Sequence, residues 1–480
     1  SKGFAAILAT RICKFSVRII PLPCKFYGVF MGPKATVPQS QDLFRPMLVE
    51  LVNLKHPLVK LAEVIEWEHI DTLCVPLFPS QRGRPAIAPR LIAGLLYLQH
   101  AFDLSDEEVV WAWVENPYWQ VFTGETYFQT EPPIDPSSLT RWRKRLGVEG
   151  IESLLAATIA AGKRTGAVRN SSMKTVIADT TVMPKAVAYP TDSRLLERSR
   201  QYLVKAANRC GLKLRQNYNR EAPRLAVQVG RYAHAKQFKR MNKALRTLRS
   251  RVGRIWRELD RQKEALTGQA RQHLDGLLAL TQRILTQQRQ DKNKLYALHA
   301  PEVECISKGK TRTPYEFGVK VSLTTTLKEG FVLGACAMPG NPYDGHTLAP
   351  ALAQSQRLSQ IPIDTVVVDK GYKGAIVEGV RILRSGQRRG ITRGLKAKIK
   401  RRSAIEPTIG HMKSDGKLSR NWLKGQLGDA VHAILCGAGH NIRLLLRHLR
   451  YFLVLIWALN LCFRGSKKAG YINMQASHHV

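Results

Sequence analysis

Apolar residues recur every three or four positions over the first third of the chain, a helical period. Leu48, Leu51, Val52 and Leu54 mark one helix; Lys55-His56-Pro57 interrupts it, and Leu61, Val64 and Ile65 carry a second. Gly83-Arg84-Pro85 predicts a turn, and residues 91–102 a buried helix. Ser105-Asp106-Glu107-Glu108 has capping-box spacing, with Ser and Glu each satisfying the other's backbone N–H. The helix that it opens holds Val109, Val110, Trp111, Trp113 and Val114. After Pro132, Pro133 and Pro136, residues 137–145 set Arg141, Arg143, Lys144 and Arg145 around Trp142. A short basic helix behind a helical group suits a DNA-contacting element of the helix-turn-helix kind, or a solvated surface helix.

The pattern then changes. Residues 175–179 are a short β-rich run ending in Asp179, and Asp192-Ser193 suits the cap of a following helix. Residues 194–297 are helical and rich in Arg, Lys and Gln. Leu245, Leu248, Val252, Ile255 and Leu259 step by three and four like a heptad seam, which predicts an inserted helical hairpin packed as a coiled coil. Past Pro301, residues 303–306, 316–324 and 331–338 read as strands. Asp344-Gly345-His346-Thr347 begins a helix through Leu348, Leu352 and Leu358, with Asp344 as its cap. Residues 365–369 form another apolar strand ending in Asp369. Residues 381–402 are basic and contain glycine, Glu406 opens a helix, and 430–449 are amphipathic. The sum is a mixed α/β layer with one helical interruption.

The expected organisation is an extension over 1–40, disordered or aberrant; a helical DNA-binding domain over 41–150; a catalytic α/β domain made of 171–193 and 298–450; the helical insertion 194–297; and a tail over 451–480. Arg11, Lys14 and Arg18 break the apolar stretch near the start, which argues against a signal peptide. Residues 451–463 are apolar but too few to span a bilayer, which takes about 20 residues; a buried or aberrant tail, and no membrane partner, is expected.

Charge narrows the function. The 480 residues carry 75 Lys and Arg against 36 Asp and Glu, a formal charge of +39 and a pI near 10.3. So large an excess excludes an ordinary enzyme of small molecules and points to a polyanion. The eight cysteines show neither CxxC spacing nor a zinc pattern, which fits a reducing compartment, the cytoplasm.

Asp179 and Asp369 each close a run of β-branched residues, and strand ends are where ligands bind in α/β sheets. An acid there is costly unless solvated or paired, and a metal ion is one such partner. Glu406 supplies a third carboxylate from a helix. Hard oxygen ligands select Mg²⁺ or Mn²⁺, and two such ions suit phosphoryl transfer on nucleic acid. Each acid alone also suits a turn or cap: Asp-Thr-Thr and Asp-Lys-Gly-Tyr are good turn chemistry, and Ser403-Ala404-Ile405-Glu406 has capping-box spacing. Pro407 fits a first helical turn. It sets Glu406 at the helix start, with Lys413 about two turns along the same face and Arg402 off it.

These residues resemble the DDE transposases of bacterial insertion sequences, specifically the insertion-sequence-five group with its ribonuclease-H-like core. The matching stretches are Val176-Ile-Ala-Asp-Thr-Thr-Val-Met-Pro-Lys185, Val366-Val-Val-Asp-Lys-Gly-Tyr-Lys373 and Ile405-Glu-Pro-Thr-Ile-Gly-His-Met-Lys413. Asp369 and Glu406 are separated by 36 residues. Arg402, Glu406 and Lys413 fit the pattern Arg-x3-Glu-x6-Lys, although Ile399 stands where the family has a tyrosine. Leu54-Lys-His-Pro-Leu-Val-Lys-Leu61, Tyr315-Glu-Phe-Gly-Val-Lys320 and Pro339-Gly-Asn-Pro-Tyr-Asp-Gly-His-Thr347 are similar to further family segments. The resemblance runs from about 42 to 450. It implies a ribonuclease-H-like mixed sheet flanked by helices, after an N-terminal helical domain and with a long helical insertion behind the first core strand. It implies Asp179, Asp369 and Glu406 as ligands of two Mg²⁺ or Mn²⁺ ions. DNA contacts are expected from Arg402, Lys413, Lys370, Arg141, Arg143, Lys144 and Arg145, with His346 and His411 as supporting candidates. It implies double-stranded DNA as partner, both inverted repeats and target, a homo-oligomer on DNA, a nucleoid-associated location, and strand cleavage followed by strand transfer. Three other readings stay open: a nuclease with the same core that does not join strands, an inactive DNA-binding derivative, and a coiled-coil RNA-binding protein.

Overall fold

A computed structural model describes residues 47–77, 87–307, 314–387 and 390–476. The expectations for residues 1–40 and for Gly83-Arg84-Pro85 lie outside them.

After a single helical turn, Leu48–Leu51, come the longer helices α1 (Pro57–Val64), α2 (Trp67–Cys74), α3 (Pro89–Ala101), α4 (Asp106–Glu115) and α5 (Pro117–Thr123). The His56 ring accepts a hydrogen bond from the Leu58 N–H and so starts α1. The capping box forms as the spacing predicts: Ser105 Oγ accepts from Glu108 N at 3.1 Å, and Glu108 Oε2 accepts from Ser105 N at 2.7 Å.

Helix α6 (Ser137–Thr165) is broken at Gly147, whose φ of 63° and ψ of −165° only glycine tolerates. Its basic first part belongs to the N-terminal helices, and its second part packs against the sheet. Leu95, Tyr97, Leu154, Leu155, Leu333, Leu352 and Leu435 share one core. The expected boundary at 150 therefore falls inside this helix, and the N-terminal helices and the sheet share a hydrophobic interior.

The strands are β1 (Thr175–Pro184), β2 (Glu304–Ser307), β3 (Tyr315–Thr326), β4 (Val332–Met338), β5 (Thr365–Val368) and β6 (Arg381–Arg384). They form one six-stranded sheet in the order β2-β3-β1-β5-β6, with β4 also paired to β3. β1 and β4 run antiparallel to β3, while β1, β5 and β6 are parallel. Parallel strands covered on both faces read as continuous apolar runs, as Val176–Ala178 and Val366–Val368 do. Edge strand β6 was hidden in the basic stretch 381–402: Leu383 is buried there, but arginines flank it at both ends.

The insertion is not a hairpin. It is four helices, α7 (Asp192–Arg209), α8 (Glu221–His234), α9 (Phe238–Gln262) and α10 (Gly268–Thr286), around their own core. Leu248, Val252, Ile255 and Leu259 are fully buried, so the seam is real, but it faces three neighbouring helices. Thr191, not Asp192 or Ser193, caps α7, its Oγ1 accepting from Arg194 N.

Behind the sheet come α11 (Asp344–Ser359), α12 (Arg393–Lys400), α13 (Ile405–Ser414) and α14 (Gly425–Ala476). Helix α14 crosses α3 closely enough that a Cβ on Gly439 would lie 2.5 Å from the His100 carbonyl oxygen. Its backbone runs helical through the segment expected as a separate tail. Among the described residues no helix is long and apolar enough to cross a membrane.

Candidate functional site

Sheet register brings the two aspartates together. Ile177 on β1 is paired with Val367 on β5. Two residues further along the chain stand Asp179, still within β1, and Asp369, the first residue past β5. Side chains two apart share a face, so both acids lie on the face of Ile177 and Val367. On that face Ile177, Val367 and Leu383 of the sheet pack with Ile405, Leu395 and Ile399, the apolar side of α12 and α13. Asp179 does not end its strand. β1 continues to Pro184 because β3 pairs with it that far, whereas its pairing with β5 stops at Ile177. Asp369 follows β5 directly and opens a short 3-10 turn over Lys370–Tyr372.

Glu406 comes from α13. The expected capping box is absent: Ala404 is the N-cap and no side chain caps the helix. The 3-10 turn Arg401–Ala404 continues α12 into α13 in right-handed backbone. Arg402 and Glu406 therefore lie one turn apart on one face, against the expectation drawn from Pro407. Arg401 anchors the turn by donating to the carbonyls of Leu327 and Lys328 at 2.8 and 3.2 Å.

Arg402 joins all three acids. Its guanidinium lies 2.9 Å from Asp179 Oδ2, 3.2 Å from Glu406 Oε1 and 3.8 Å from Asp369 Oδ1. Asp179 and Arg402 are mostly covered, at 16% and 17% side-chain exposure, while Asp369 and Glu406 are open at 45% and 61%. Asp179 Oδ1 also accepts from the Thr180 N–H at 2.8 Å. Three hard carboxylates converging on one positive group fit the donor set of a divalent cation of the Mg²⁺ class.

A second network braces this centre. Asp344 is the first residue of α11 rather than its cap, which is Tyr343. Its Oδ1 accepts from Lys320 Nζ at 3.0 Å and from Thr180 Oγ1 at 3.1 Å. Lys320 also donates to the Pro342 carbonyl at 2.7 Å. Asp344 Oδ2 lies over Gly371, so this network touches the turn behind Asp369. Tyr372 is buried in the same place; burial first, then the charges of Asp179 and Asp344, pushes its phenol far above the usual range. Lys320 and Asp344 stand 24 residues apart, and no local spacing in the sequence signals their pairing.

The remaining expected residues divide. Lys370 is exposed, its side chain packed over Gly386; Lys413 is half-buried on α13. Arg141, Lys144 and Arg145 are exposed on the first part of α6. Arg143 is a correction: it is buried, bound through two nitrogens to Asp106 at 2.6 and 2.9 Å and to Gln99 at 2.6 Å. It fastens the basic turn to α3 and α4 instead of facing solvent. His411 pairs with Asp415 at 2.7 Å, and the His346 ring sits edge-on to Tyr343.

Lys185, at the end of the first matching segment, is buried between Glu302 at 2.8 Å and Asp429 at 2.6 Å. It ties β1 to the strand returning from the insertion and to α14. His100, His432 and Cys436 form a buried group with possible ligand atoms within 4.8 Å of one another. Burial lowers His432 to about 4, lowers His100 and raises the Cys436 thiol to about 12. All three are neutral packing partners between α3 and α14, with none of the hard oxygens that Mg²⁺ prefers.

A ribonuclease-H-like sheet with helices on both faces, and acids from its two central parallel strands and a following helix, is the layout of a DDE-domain protein. Comparison agrees. Residues 46–145 match the family described as Transposase domain (DUF772), and residues 281–441 match the Transposase DDE domain. The second match contains Asp369 and Glu406 and begins inside the insertion, past the strand of Asp179. A protein of Rhizobium meliloti described as "Uncharacterized protein ORF8 in nfe locus" is 51% identical over 208 residues, which cover 43% of this chain and all of that protein. No solved structure matches the chain. The chain belongs to the DDE-domain transposases of insertion sequences. Such transposases bind DNA and normally use divalent metal ions.

Proposed function

We propose that this transposase belongs to the insertion-sequence-five group and catalyses metal-dependent strand cleavage and strand transfer at insertion-sequence ends. Asp179, Asp369 and Glu406 would be the ligands of two Mg²⁺ or Mn²⁺ ions. The observation that carries the reading is the convergence of three carboxylates, from three separate elements, on Arg402. Ions held by those oxygens would activate an attacking oxygen and stabilise the leaving oxygen of a phosphodiester.

The chain's own residues set the stage. β1 carries Asp179, and the end of its parallel neighbour β5 delivers Asp369, so the sheet brings the two acids to the same region. Glu406, the most exposed of the three, sits on a helix whose start is fastened by Arg401. Arg402 offsets part of the charge of the acids and is the group that gives way when a cation enters; as a guanidinium it can then grip a phosphate through two nitrogens. Lys370 and Lys413 flank the acids in sequence and supply charge for the DNA backbone. Arg141, Lys144 and Arg145 form an outer DNA contact on α6, and Arg143 holds that turn in place.

The test is cleavage and joining, with Mg²⁺, of DNA bearing the repeats that flank the gene. The native chain should cut and join, while Asp369→Ala and Glu406→Ala should bind the same DNA without cutting. Cutting without joining would make it a nuclease. Binding without cutting, in Mg²⁺ or Mn²⁺, would make this copy an inactive DNA-binding derivative.

A further inference from the structure

Helix α9 presents a cationic ridge that the site above does not use. Between Phe238 and Arg257 it has no Asp or Glu. Ala244, Leu248, Val252, Ile255 and Leu259 point into the bundle. On the opposite side Lys239, Lys243, Arg246, Arg254 and Arg257 are exposed. With Ser250 between them they step by three or four residues, which sets them in a line on one helical face. At 1.5 Å per residue the line is about 27 Å long.

Most acids of the insertion are engaged away from this ridge; Glu258, at its far end on α9, accepts from the Arg215 N–H at 2.8 Å. Glu221 pairs with Arg251, Asp260 with Lys263, and Glu264 and Asp275 with Arg271. Among the described residues Lys239, Lys243, Arg246 and Arg257 make no ion pair. Like charges at three- and four-residue spacing destabilise a helix. The buried seam offsets that cost, but it does not call for five cations in a row. A partner with a line of negative charge does.

We infer that the α9 ridge is a binding surface for the phosphate backbone of duplex DNA, separate from the basic turn of α6; this rests on the transposase reading above. Lysines and arginines in a row contact phosphates and carry no base-reading pattern. A straight line of about 27 Å is comparable with one turn of duplex, about 34 Å. The ridge is tied to the catalytic sheet where the chain enters and leaves the insertion. Lys185 is locked to Glu302 and Asp429, and Ala297, Ala300 and Val303 pack with Val187 and Phe317. DNA lying on α9 is thus held in register with the strand that carries Asp179.

The experiment measures binding of the full chain to a labelled 30-base-pair duplex lacking the repeats, by fluorescence anisotropy across a range of salt. Lys243→Glu with Arg246→Glu, and Arg254→Glu with Arg257→Glu, are compared with the native chain. A set with Gln at the same four positions serves if the Glu variants misfold, and circular dichroism checks each. The ridge predicts at least tenfold weaker binding at low salt. It also predicts a log–log salt slope shallower by about 0.9 for each lost phosphate contact. Native affinity and slope in folded variants overturn the inference and leave the transposase reading standing. Unchanged DNA binding with lost self-association in sedimentation also overturns it, making the ridge a contact between copies. A native chain that binds no duplex fails the transposase reading as well.

Discussion

Arg402 is the residue on which the site turns. It lies within reach of three carboxylates, so removing its charge leaves them to repel one another and to seek another cation. Arg402→Gln should bind Mn²⁺ more tightly than the native chain in the absence of DNA, by roughly three- to tenfold for a partly screened charge. Titration followed by electron paramagnetic resonance reads this directly; weaker Mn²⁺ binding would show that the arginine supports the ligands instead of competing with the ion. Asp369→Ala should lower Mg²⁺-dependent cleavage by at least about 100-fold, the order of effect expected even for groups behind the ligands. The single-turnover rate checks this, and a loss below tenfold would remove Asp369 from the metal-binding set. Asp369 stands out in the sequence as a candidate because an acid after three valines is conspicuous. The role of Arg402 does not: it depended on whether the backbone stayed helical before Pro407, which local propensity does not decide.

At the scale of the element, two glycines permit what other residues do not. Gly147 breaks α6 with backbone angles closed to side chains, and Gly439 lets α14 lie against α3. Gly147→Ala should destabilise the chain by about 1–3 kcal/mol through backbone strain, and Gly439→Ala by a similar amount, about 1–3 kcal/mol, through overpacking. Chemical denaturation distinguishes them from a surface substitution such as Ser250→Ala, which should change little. Strands with alternating or continuous apolar residues were readable in advance, as were the capping box of α4 and the seam of α9. Strand β6 and the four-helix nature of the insertion were not. An arginine-flanked four-residue edge strand has no period to detect. A seam states that a helix is buried along one side, not how many helices bury it.

For the whole molecule, the shared core of the N-terminal helices, α6, the sheet and α14 predicts that they unfold together. His432 and His440 lie in that core and are held neutral by burial, at about 4 and about 3, against about 6.5 when unfolded. Their folded values are depressed. Their contribution is therefore complete above pH 6.5 and is lost as pH falls from there towards 4 and then 3, at up to about 1.4 kcal/mol per pH unit for each proton. The melting temperature should drop between pH 7 and pH 5, and less steeply in His432→Gln. An equal drop in the variant would place the sensitivity elsewhere. The net charge of +39 is a property of the molecule too. It is the mark of a polyanion partner in the sequence, and the fold shows that part of it lines the α6 turn and the α9 ridge.

The sequence by itself determined the class of partner and most of the order of helices and strands, and it marked three acids as candidates, because charge, hydrophobic period and acids beside apolar runs are local properties written in residue order. The tertiary structure decided the rest. Parallel pairing of β1 with β5 brought Asp179 and Asp369 to one region, the continuous turn from α12 to α13 swung Arg402 among the acids, Asp106 drew Arg143 out of solvent, and Lys320 found Asp344. Each of these depends on chain segments that meet only after the sheet and its helices have packed, and pairing across such distances leaves no trace in the spacing of residues along the chain.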